Sequence, residues 1–178
     1  MKHKLLLLYS WFVRTVLIWL PDVPFIMRFR GWLYGLGMKR CGKNFQVAQN
    51  VIINGLEGLS VGNDIFINNN CIILSTFGIS FGSEVIVGPG CVFSANNHLP
   101  KGNSFRFGAR ETAPISIGKG SWIAANCTIL LGSNIPDYSL VAAGSVFLKK
   151  TSTSTNDTGC VWGGIPAKKI TTIKDKHL

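Results

Sequence analysis

The sequence predicts an all-β solenoid in which the chain winds as a triangular prism. An apolar residue stands at every sixth position without a break, at Ile117, Ile123, Ile129, Ile135, Val141 and Phe147. The same register occurs upstream in three runs separated by two-residue insertions: Cys41, Val47, Ile53; Val61, Ile67, Ile73; Phe81, Val87, Phe93. A six-residue period fits neither an α-helix nor a hairpin sheet. It fits coils of three hexads in which each apolar residue points inward.

The composition agrees with short strands joined by frequent turns. The 178 residues include 20 glycines among many isoleucines and valines, and one domain of this length buries a substantial core. Three of the five cysteines, Cys71, Cys91 and Cys127, share the fifth place of the hexad, where a corner of the prism favours a small residue. The cysteines form no C-x-x-C pair, so we interpret them as small buried residues in a reducing cytosol and expect no metal site.

Positive charge is concentrated at the two ends of the chain. Residues 1–43 hold eight Lys/Arg and one acid, residues 44–145 hold four and five, and residues 146–178 hold six and two. This distribution disfavours a nucleic-acid interface, where basic and aromatic residues interleave along one surface. The basic C-terminal tail is a candidate for binding cofactor phosphates, and the basic N-terminal segment is a candidate for contacting a membrane surface.

Two N-terminal helices are expected, at about 4–20 and 25–37, separated by Pro21 and Pro24. The first is short and contains Arg14, so we do not interpret it as a membrane span. It also lacks the small-x-small cleavage site of a signal peptide. Two interpretations stay open for residues 1–37: packing on the body of the protein, or contact with a membrane interface.

A family resemblance rests on motifs that cover residues 42–170. They are Asn68-Asn69-Asn70-Cys71, Phe81-Gly82, Val87-Gly88-Pro89, the stretch Ser94 to His98, Pro114 to Gly118, Trp122-Ile123, Ala143 to Val146, and Gly164-Ile165-Pro166-Ala167-Lys168. In order and spacing they resemble the hexapeptide-repeat acyltransferases, in particular the maltose/galactoside acetyltransferase branch and its polysaccharide O-acetyltransferase relatives. The resemblance implies a left-handed parallel β-helix, here of about five coils, that forms a homotrimer with active sites between subunits. We expect a helical segment at 1–40, the β-helix at 41–150 with an extended loop at 98–115, and a C-terminal loop and tail at 151–178.

His98 is the candidate general base. It is the only histidine in the repeat region and opens a stretch, residues 98–112, that leaves the regular repeat. Acyl transfer to a hydroxyl needs a base for the hydroxyl proton, and His98 matches the base of the family. The interval from Asn68 to His98 is the one that the galactoside acetyltransferases keep, and the resemblance assigns Asn68 to the acceptor sugar or the tetrahedral intermediate. The alternative for Asn68 is an asparagine ladder at a coil corner.

The remaining site residues also follow from the resemblance. Ala125 would supply a backbone N–H to the thioester oxygen, and Trp122 would wall the acyl site, although a structural role suits Trp122 equally. Acetyl-CoA would be the co-substrate, without a metal ion. Its contacts are expected at Ala143, Gly144, Lys149, Lys150, Lys168 and Lys169, and Arg106 and Arg110 could face the acceptor.

Together these features predict a cytoplasmic acetyltransferase, either free or peripheral on the inner face of the membrane, that O-acetylates a sugar hydroxyl of a cell-surface polysaccharide or its lipid-linked precursor. A xenobiotic O-acetyltransferase and a non-catalytic trimeric scaffold or binding module are the alternatives. A γ-class carbonic anhydrase is excluded, because its zinc needs three histidines from the repeat. Two departures from the family pattern concern the cofactor and the acceptor: the polar run Thr151 to Thr155 after the last coil, and Leu99 between His98 and Pro100.

Overall fold

The computed structural model describes residues 1–151 and 157–173. Most of the polar run 151–155, and the end of the tail from residue 174, therefore lie outside the described residues. Two helices, α1 (Lys2–Leu17) and α2 (Pro24–Gly35), precede the β-structure, in agreement with the two predicted helices. No helix in the described ranges is both long and apolar enough to cross a membrane.

Nineteen short strands follow the helices within the described part of the chain. In chain order they are β1 (Arg40–Cys41), β2 (Gln46–Val47), β3 (Ile52–Asn54), β4 (Leu59–Val61), β5 (Phe66–Ile67), β6 (Ile72–Leu74), β7 (Ile79–Phe81), β8 (Ile86–Val87), β9 (Val92–Ser94), β10 (Asn96–His98), β11 (Arg110–Thr112), β12 (Ile115–Ile117), β13 (Trp122–Ile123), β14 (Thr128–Leu130), β15 (Asn134–Ile135), β16 (Leu140–Val141), β17 (Val146–Phe147), β18 (Cys160–Gly163) and β19 (Lys168–Thr172). A 3₁₀ turn at Leu56–Gly58 fills the insertion between β3 and β4.

The strands stack into three parallel sheets, the sides of a prism. Sheet A has the order β1-β4-β7-β12-β15, sheet B has β2-β5-β8-β13-β16-β18, and sheet C has β3-β6-β9-β14-β17. The strand β19 extends sheet B with an antiparallel pairing to β18. Five turns contribute one strand to every sheet and β18 begins another, so this parallel β-solenoid has about six turns.

The predicted inward positions form the core. All of them from Val47 to Phe147 are buried, with at most 3% of their surface exposed. Along the prism, inward residues stack on inward residues, as Ile129 does between Phe93 in the turn before and Phe147 in the turn after. Cys71, Cys91 and Cys127 are buried as expected.

The prediction for Cys41 was wrong. Its place in the six-residue register put it inside the prism, but the structure leaves it exposed. Cys41 belongs to the first strand of sheet A, so no turn lies below it. The end of α2 approaches it at Gly35 but does not cover it.

The corner between sheets B and C repeats one backbone conformation in each turn. Five residues there have positive φ angles between 57° and 70°: Asn50, Asn70, Gly90, Asn126 and Gly144. Asparagine and glycine tolerate this left-handed region best. The requirement explains why these two residue types occupy this corner.

The N-terminal helices cap the open end of the first turn. The Ser10 hydroxyl donates to the Ile53 carbonyl at 2.6 Å, and the Arg30 guanidinium donates to the Val47 carbonyl at 3.3 Å. Val13, Leu17 and Tyr34 join the hydrophobic core. Without these donors and side chains, the first turn would expose carbonyl groups and apolar surface.

Candidate active site

His98 lies at the end of a strand that leaves the solenoid between sheets C and A. The strand β10 pairs antiparallel with β11, and His98 is opposite Arg110. The hairpin continues outward, where the Leu99 N–H donates to the Ala109 carbonyl at 2.9 Å. We expected an irregular stretch from residue 98 to 112; the base of this excursion is instead a regular hairpin that begins at Asn96. The pairing of β10 with β11 and the Leu99 hydrogen bond fix the backbone that carries His98, and so limit how far this residue can move.

An open cavity of about 840 Å³ adjoins His98. It is lined by Asn97, His98, Phe105, Arg106, Phe107 and Arg110. The Asn97 side-chain oxygen accepts a hydrogen bond from the His98 backbone N–H at 2.9 Å, and the Arg106 guanidinium lies 5.9 Å from the centre of the Phe107 ring. These described lining residues include two arginines and no acid, so the cavity suits a ligand with a negative charge and an apolar face.

Asn68 lies at the corner between sheets B and C, in the turn between β5 and β6. Its side-chain oxygen accepts from the Asn69 N–H at 2.8 Å. An asparagine ladder does exist at this corner, but it joins Asn50 to Asn70, whose side chains are 2.7 Å apart. Asn68 is therefore a neighbour of the ladder and not one of its rungs.

Ala125 lies at the same corner, two turns further along the prism. Within residues 1–151 and 157–173, its backbone N–H makes no hydrogen bond, whereas its carbonyl accepts from the Gly144 N–H at 2.9 Å. An N–H without a protein partner can donate to a ligand oxygen. Trp122, on β13 three residues earlier, is 48% exposed and stacks in register between Ile86 and Leu140 on the outer side of sheet B.

The predicted cofactor lysines separate into two groups. Lys150, Lys168 and Lys169 line one cavity of about 460 Å³ at the end of the solenoid, together with Leu148 and Trp162. Lys149 lies elsewhere, because its side chain packs beside Gly132. The Lys169 ammonium also pairs with Asp157 at 2.9 Å, and this hydrogen bond raises the pKa of the lysine.

The structure brings some of the predicted residues together and keeps others apart. His98, Arg106 and Arg110 share the hairpin cavity. Asn68, Ala125 and the Ala143-Gly144 pair belong to one column at the corner between sheets B and C, as the hydrogen bond from Gly144 to Ala125 illustrates. In one chain, the column and the hairpin occupy different corners of the prism.

Several contributors to these sites were not predicted from the sequence. Phe105 and Phe107 line the His98 cavity, and Asp22 contacts the corner next to Asn68 through Asn69. The alternation Phe105-Arg106-Phe107 was a usable signal, since exposed aromatic and basic residues in a loop are typical of binding sites. Asp22 also had a signal, because it is the only acid among residues 1–43.

Solved structures with the same architecture cover nearly the whole chain. A hexapeptide-repeat-containing acetyltransferase from Vibrio cholerae is 23% identical over 98% of this chain and 94% of its own, with a TM-score of 0.83. This chain shares the fold of the hexapeptide-repeat acetyltransferases. A maltose O-acetyltransferase from Clostridium difficile 630 is 24% identical, with a TM-score of 0.75 and coverage of 97% and 90%. A galactoside acetyltransferase in complex with coenzyme A is 23% identical, with a TM-score of 0.82 and coverage of 97% and 82%.

The Vibrio protein has also been solved in complex with acetyl-coenzyme A. No protein-family model matches the sequence, and no curated protein matches it either. At these low sequence identities, the likeness is one of fold.

Proposed function

We propose that this protein is an acetyl-CoA-dependent O-acetyltransferase that acts on a sugar hydroxyl of a cell-surface polysaccharide or of its lipid-linked precursor. The observation that carries the proposal is the position of His98, held by a β-hairpin at the edge of an open cavity with two arginines and two phenylalanines. The shared fold supports the reaction class, since the similar structures include acetyltransferases with acetyl-CoA or CoA bound.

His98 would act as the general base. When bound, acetyl-CoA supplies a thioester whose acetyl group the acceptor oxygen attacks, so that a C–O bond forms and a C–S bond breaks. The His98 ring takes the proton of the acceptor hydroxyl and returns it to the leaving sulfur. The Ala125 N–H would stabilise the negative charge that develops on the carbonyl oxygen, and Asn68 would orient the acceptor.

The donor would lie along the column at Ala125, Ala143 and Gly144 towards the lysine cavity. The corner is open at Gly144, where an added Cβ would meet no atom within 4 Å. Beyond it, Lys150 and Lys168 offer two cations for phosphate groups, beside apolar surface from Leu148 and Trp162. Lys169 lines the same cavity in its ion pair with Asp157. Residues 41–150 would thus hold the catalytic β-helix, which we take to be left-handed.

A homotrimer would complete the site. Because His98 and Asn68 occupy different corners of one prism, a site that uses both takes them from two copies of the chain. Outward positions support side-by-side association. From the second turn onward, those of sheet B include Phe66, Ile86, Trp122 and Leu140, whereas those of sheet A are Ser60, Ser80, Ser116 and Asn134. An apolar side that meets a different side of the next copy can close into a ring.

The cavity also favours an acceptor that carries a negative charge. Arg106 and Arg110 flank His98, and guanidinium groups bind phosphate and carboxylate in a bidentate manner. The phosphates of a lipid-linked sugar or the carboxylates of an acidic polysaccharide meet this requirement. A cytoplasmic location, where acetyl-CoA is available, follows from the proposal.

The test measures CoA release from acetyl-CoA with a panel of neutral glycans, acidic glycans, sugar phosphates and antibiotics. We expect turnover with a carbohydrate acceptor, and mass spectrometry should find the acetyl group on its oxygen. Turnover with antibiotics alone would favour the xenobiotic alternative. CoA release no faster than thioester hydrolysis with every acceptor would overturn the proposal and leave a scaffold.

A further inference from the structure

The two N-terminal helices present an apolar surface on the side away from the solenoid. Each helix buries one face: Val13 and Leu17 of α1, and Met27 and Tyr34 of α2, are covered by the rest of the chain. The opposite face of α1, together with the turn that follows it, exposes a stripe at helical spacing, which consists of Leu5, Leu8, Phe12, Val16 and Trp19. Trp19 is 89% exposed and Leu8 is 64% exposed. Packing on the solenoid therefore explains only the inner faces of the helices.

The second helix packs beside α1 and exposes a similar stripe. Its outward residues follow the same spacing and are Phe25, Phe29, Trp32 and Leu36, with Phe25 67% exposed. Phe29 and Trp32 stack at 6.0 Å between ring centres. We call these nine residues, on α1, α2 and the positions directly after each helix, the helical face. An exposed apolar surface built from two elements marks a contact with a partner or a membrane.

The charges around the helical face indicate what binds to it. The exposed charged residues among residues 1–43 are all basic: Lys2, Lys4, Arg28, Lys39, Arg40 and Lys43. The only acid in this range, Asp22, is bound to the buried Arg30. Bulky apolar groups, exposed tryptophans and unopposed cations are the combination that anionic bilayers bind.

A cavity beside the helical face adds a place for a lipid headgroup. It has a volume of about 510 Å³ and lies between α2 and the first turn. Its lining includes Arg28 and Lys43 together with Trp32 and Leu36 of the helical face. The Arg28 Nε donates to the Asn44 side chain at 2.9 Å, which orients the guanidinium. Two cations next to apolar surface suit a phosphate whose acyl chains enter the bilayer.

We propose that the helical face docks this protein on an anionic membrane surface, with α1 and α2 lying in the interface and a lipid headgroup between Arg28 and Lys43. The hairpin that carries His98 leaves the third turn, two turns from the capped end of the prism. At about 4.8 Å per turn, this is roughly 10 Å along the axis. Docking would place the His98 cavity near the headgroups, where a lipid-linked acceptor is found; this last step rests on the proposed function.

The experiment uses the full chain and sedimentation with vesicles of phosphatidylcholine alone or of phosphatidylcholine and phosphatidylglycerol in equal amounts, at low ionic strength. We expect binding to the anionic vesicles at least tenfold tighter than to the neutral ones. Trp19→Ser with Trp32→Ser should weaken binding to the anionic vesicles at least tenfold. Arg28→Gln with Lys43→Gln should weaken binding to the anionic vesicles about 20- to 30-fold, because the loss of each cation weakens binding about fivefold and the two factors multiply. Tyr138→Ser, which removes a 49% exposed aromatic side chain from the fifth turn, is the matched control and should bind like the unchanged chain.

Substitutions are preferable to removing the helices, because Val13, Leu17 and Tyr34 belong to the core. Light scattering measures the mass of the assembly formed by each variant. It therefore shows whether the helical face binds a membrane or a second copy of the chain. If the tryptophan variant changes the mass of the assembly, the helical face is a subunit interface and the proposal is wrong. Equal binding by the tryptophan variant and the control, or no preference for anionic vesicles, would also overturn it. The assay contains no acetyl-CoA, so an inactive protein that still binds these vesicles would contradict only the proposed function.

Discussion

The Asp22 carboxylate accepts a hydrogen bond from the Asn69 side-chain amide at 2.6 Å. Its other oxygen accepts from the Arg30 guanidinium at 2.5 Å and from the Gln49 N–H at 2.8 Å. Arg30 is only 3% exposed and also donates to the Leu20 carbonyl. One acid thus joins the linker between the helices to the corner that carries Asn68.

Asp22→Ala should lower the free energy of unfolding by about 3 to 5 kcal/mol, because it leaves the Arg30 charge buried without its partner. Asn69→Ala removes only the hydrogen bond from Asn69 to Asp22 and should lower the free energy of unfolding by about 1 kcal/mol. Urea denaturation of both variants, with Glu111→Ala on the exposed strand β11 as the control, measures the difference. Equal stabilities for Asp22→Ala and Glu111→Ala would contradict the role of this network.

His98→Ala should lower kcat/KM at least about 100-fold, the range expected for the loss of a general base. The side chain is exposed on a hairpin outside the core, so the melting temperature and the mass of the assembly should stay the same. Steady-state kinetics with the acceptor found in the panel provide the measurement. Lys101→Ala, further out on the same hairpin, is the control and should keep most of the activity. Retention of activity by His98→Ala would remove His98 from the mechanism.

Ile129→Asp should prevent folding. Ile129 has 0% exposure and lies between Phe93 and Phe147 in the stack of inward residues. A carboxylate there would be desolvated without a partner, at a cost comparable to the whole stability of a domain. Ser80→Asp, on the outer side of sheet A, places the same charge in solvent and should fold normally. Circular dichroism and the yield of soluble protein compare the two; a cooperative melt of Ile129→Asp would disprove the inward register.

Lys150→Gln with Lys168→Gln should raise KM for acetyl-CoA about tenfold with little change in kcat, since contacts with distant phosphates stabilise ground state and transition state alike. Lys149→Gln is the matched control, because this neighbouring lysine packs beside Gly132 and away from the cavity. With acetyl-pantetheine, which lacks the nucleotide phosphates, the double variant and the unchanged chain should behave alike. A larger KM for acetyl-CoA in the control than in the double variant would show that the phosphates bind elsewhere.

The sequence by itself determined the inward face of the prism, from Val47 to Phe147. The repeating unit of the prism is local, because each run of six residues forms one short strand and one corner. Burial of the apolar position then follows without knowledge of distant contacts. The two helices were predictable for a similar reason, since Pro21 and Pro24 separate two apolar segments of helical length.

Tertiary structure alone decided which residues meet. Lys149 and Lys150 are adjacent in sequence, yet of these two only Lys150 reaches the end cavity, because neighbouring side chains near a corner point in different directions. Cys41 fits the inward register but is exposed, because no turn lies below the first strand and the N-terminal helices do not cover it. Val47 and Ile53 of the same turn are buried, since the helices pack on them. The interval from Asn68 to His98 can be counted in the sequence, but the corners that these residues occupy depend on how every intervening insertion is absorbed. The six-residue period predicts neither which lysine reaches the cavity, nor the exposure of Cys41, nor the corners of Asn68 and His98. Each of these depends on contacts between turns or with the helices.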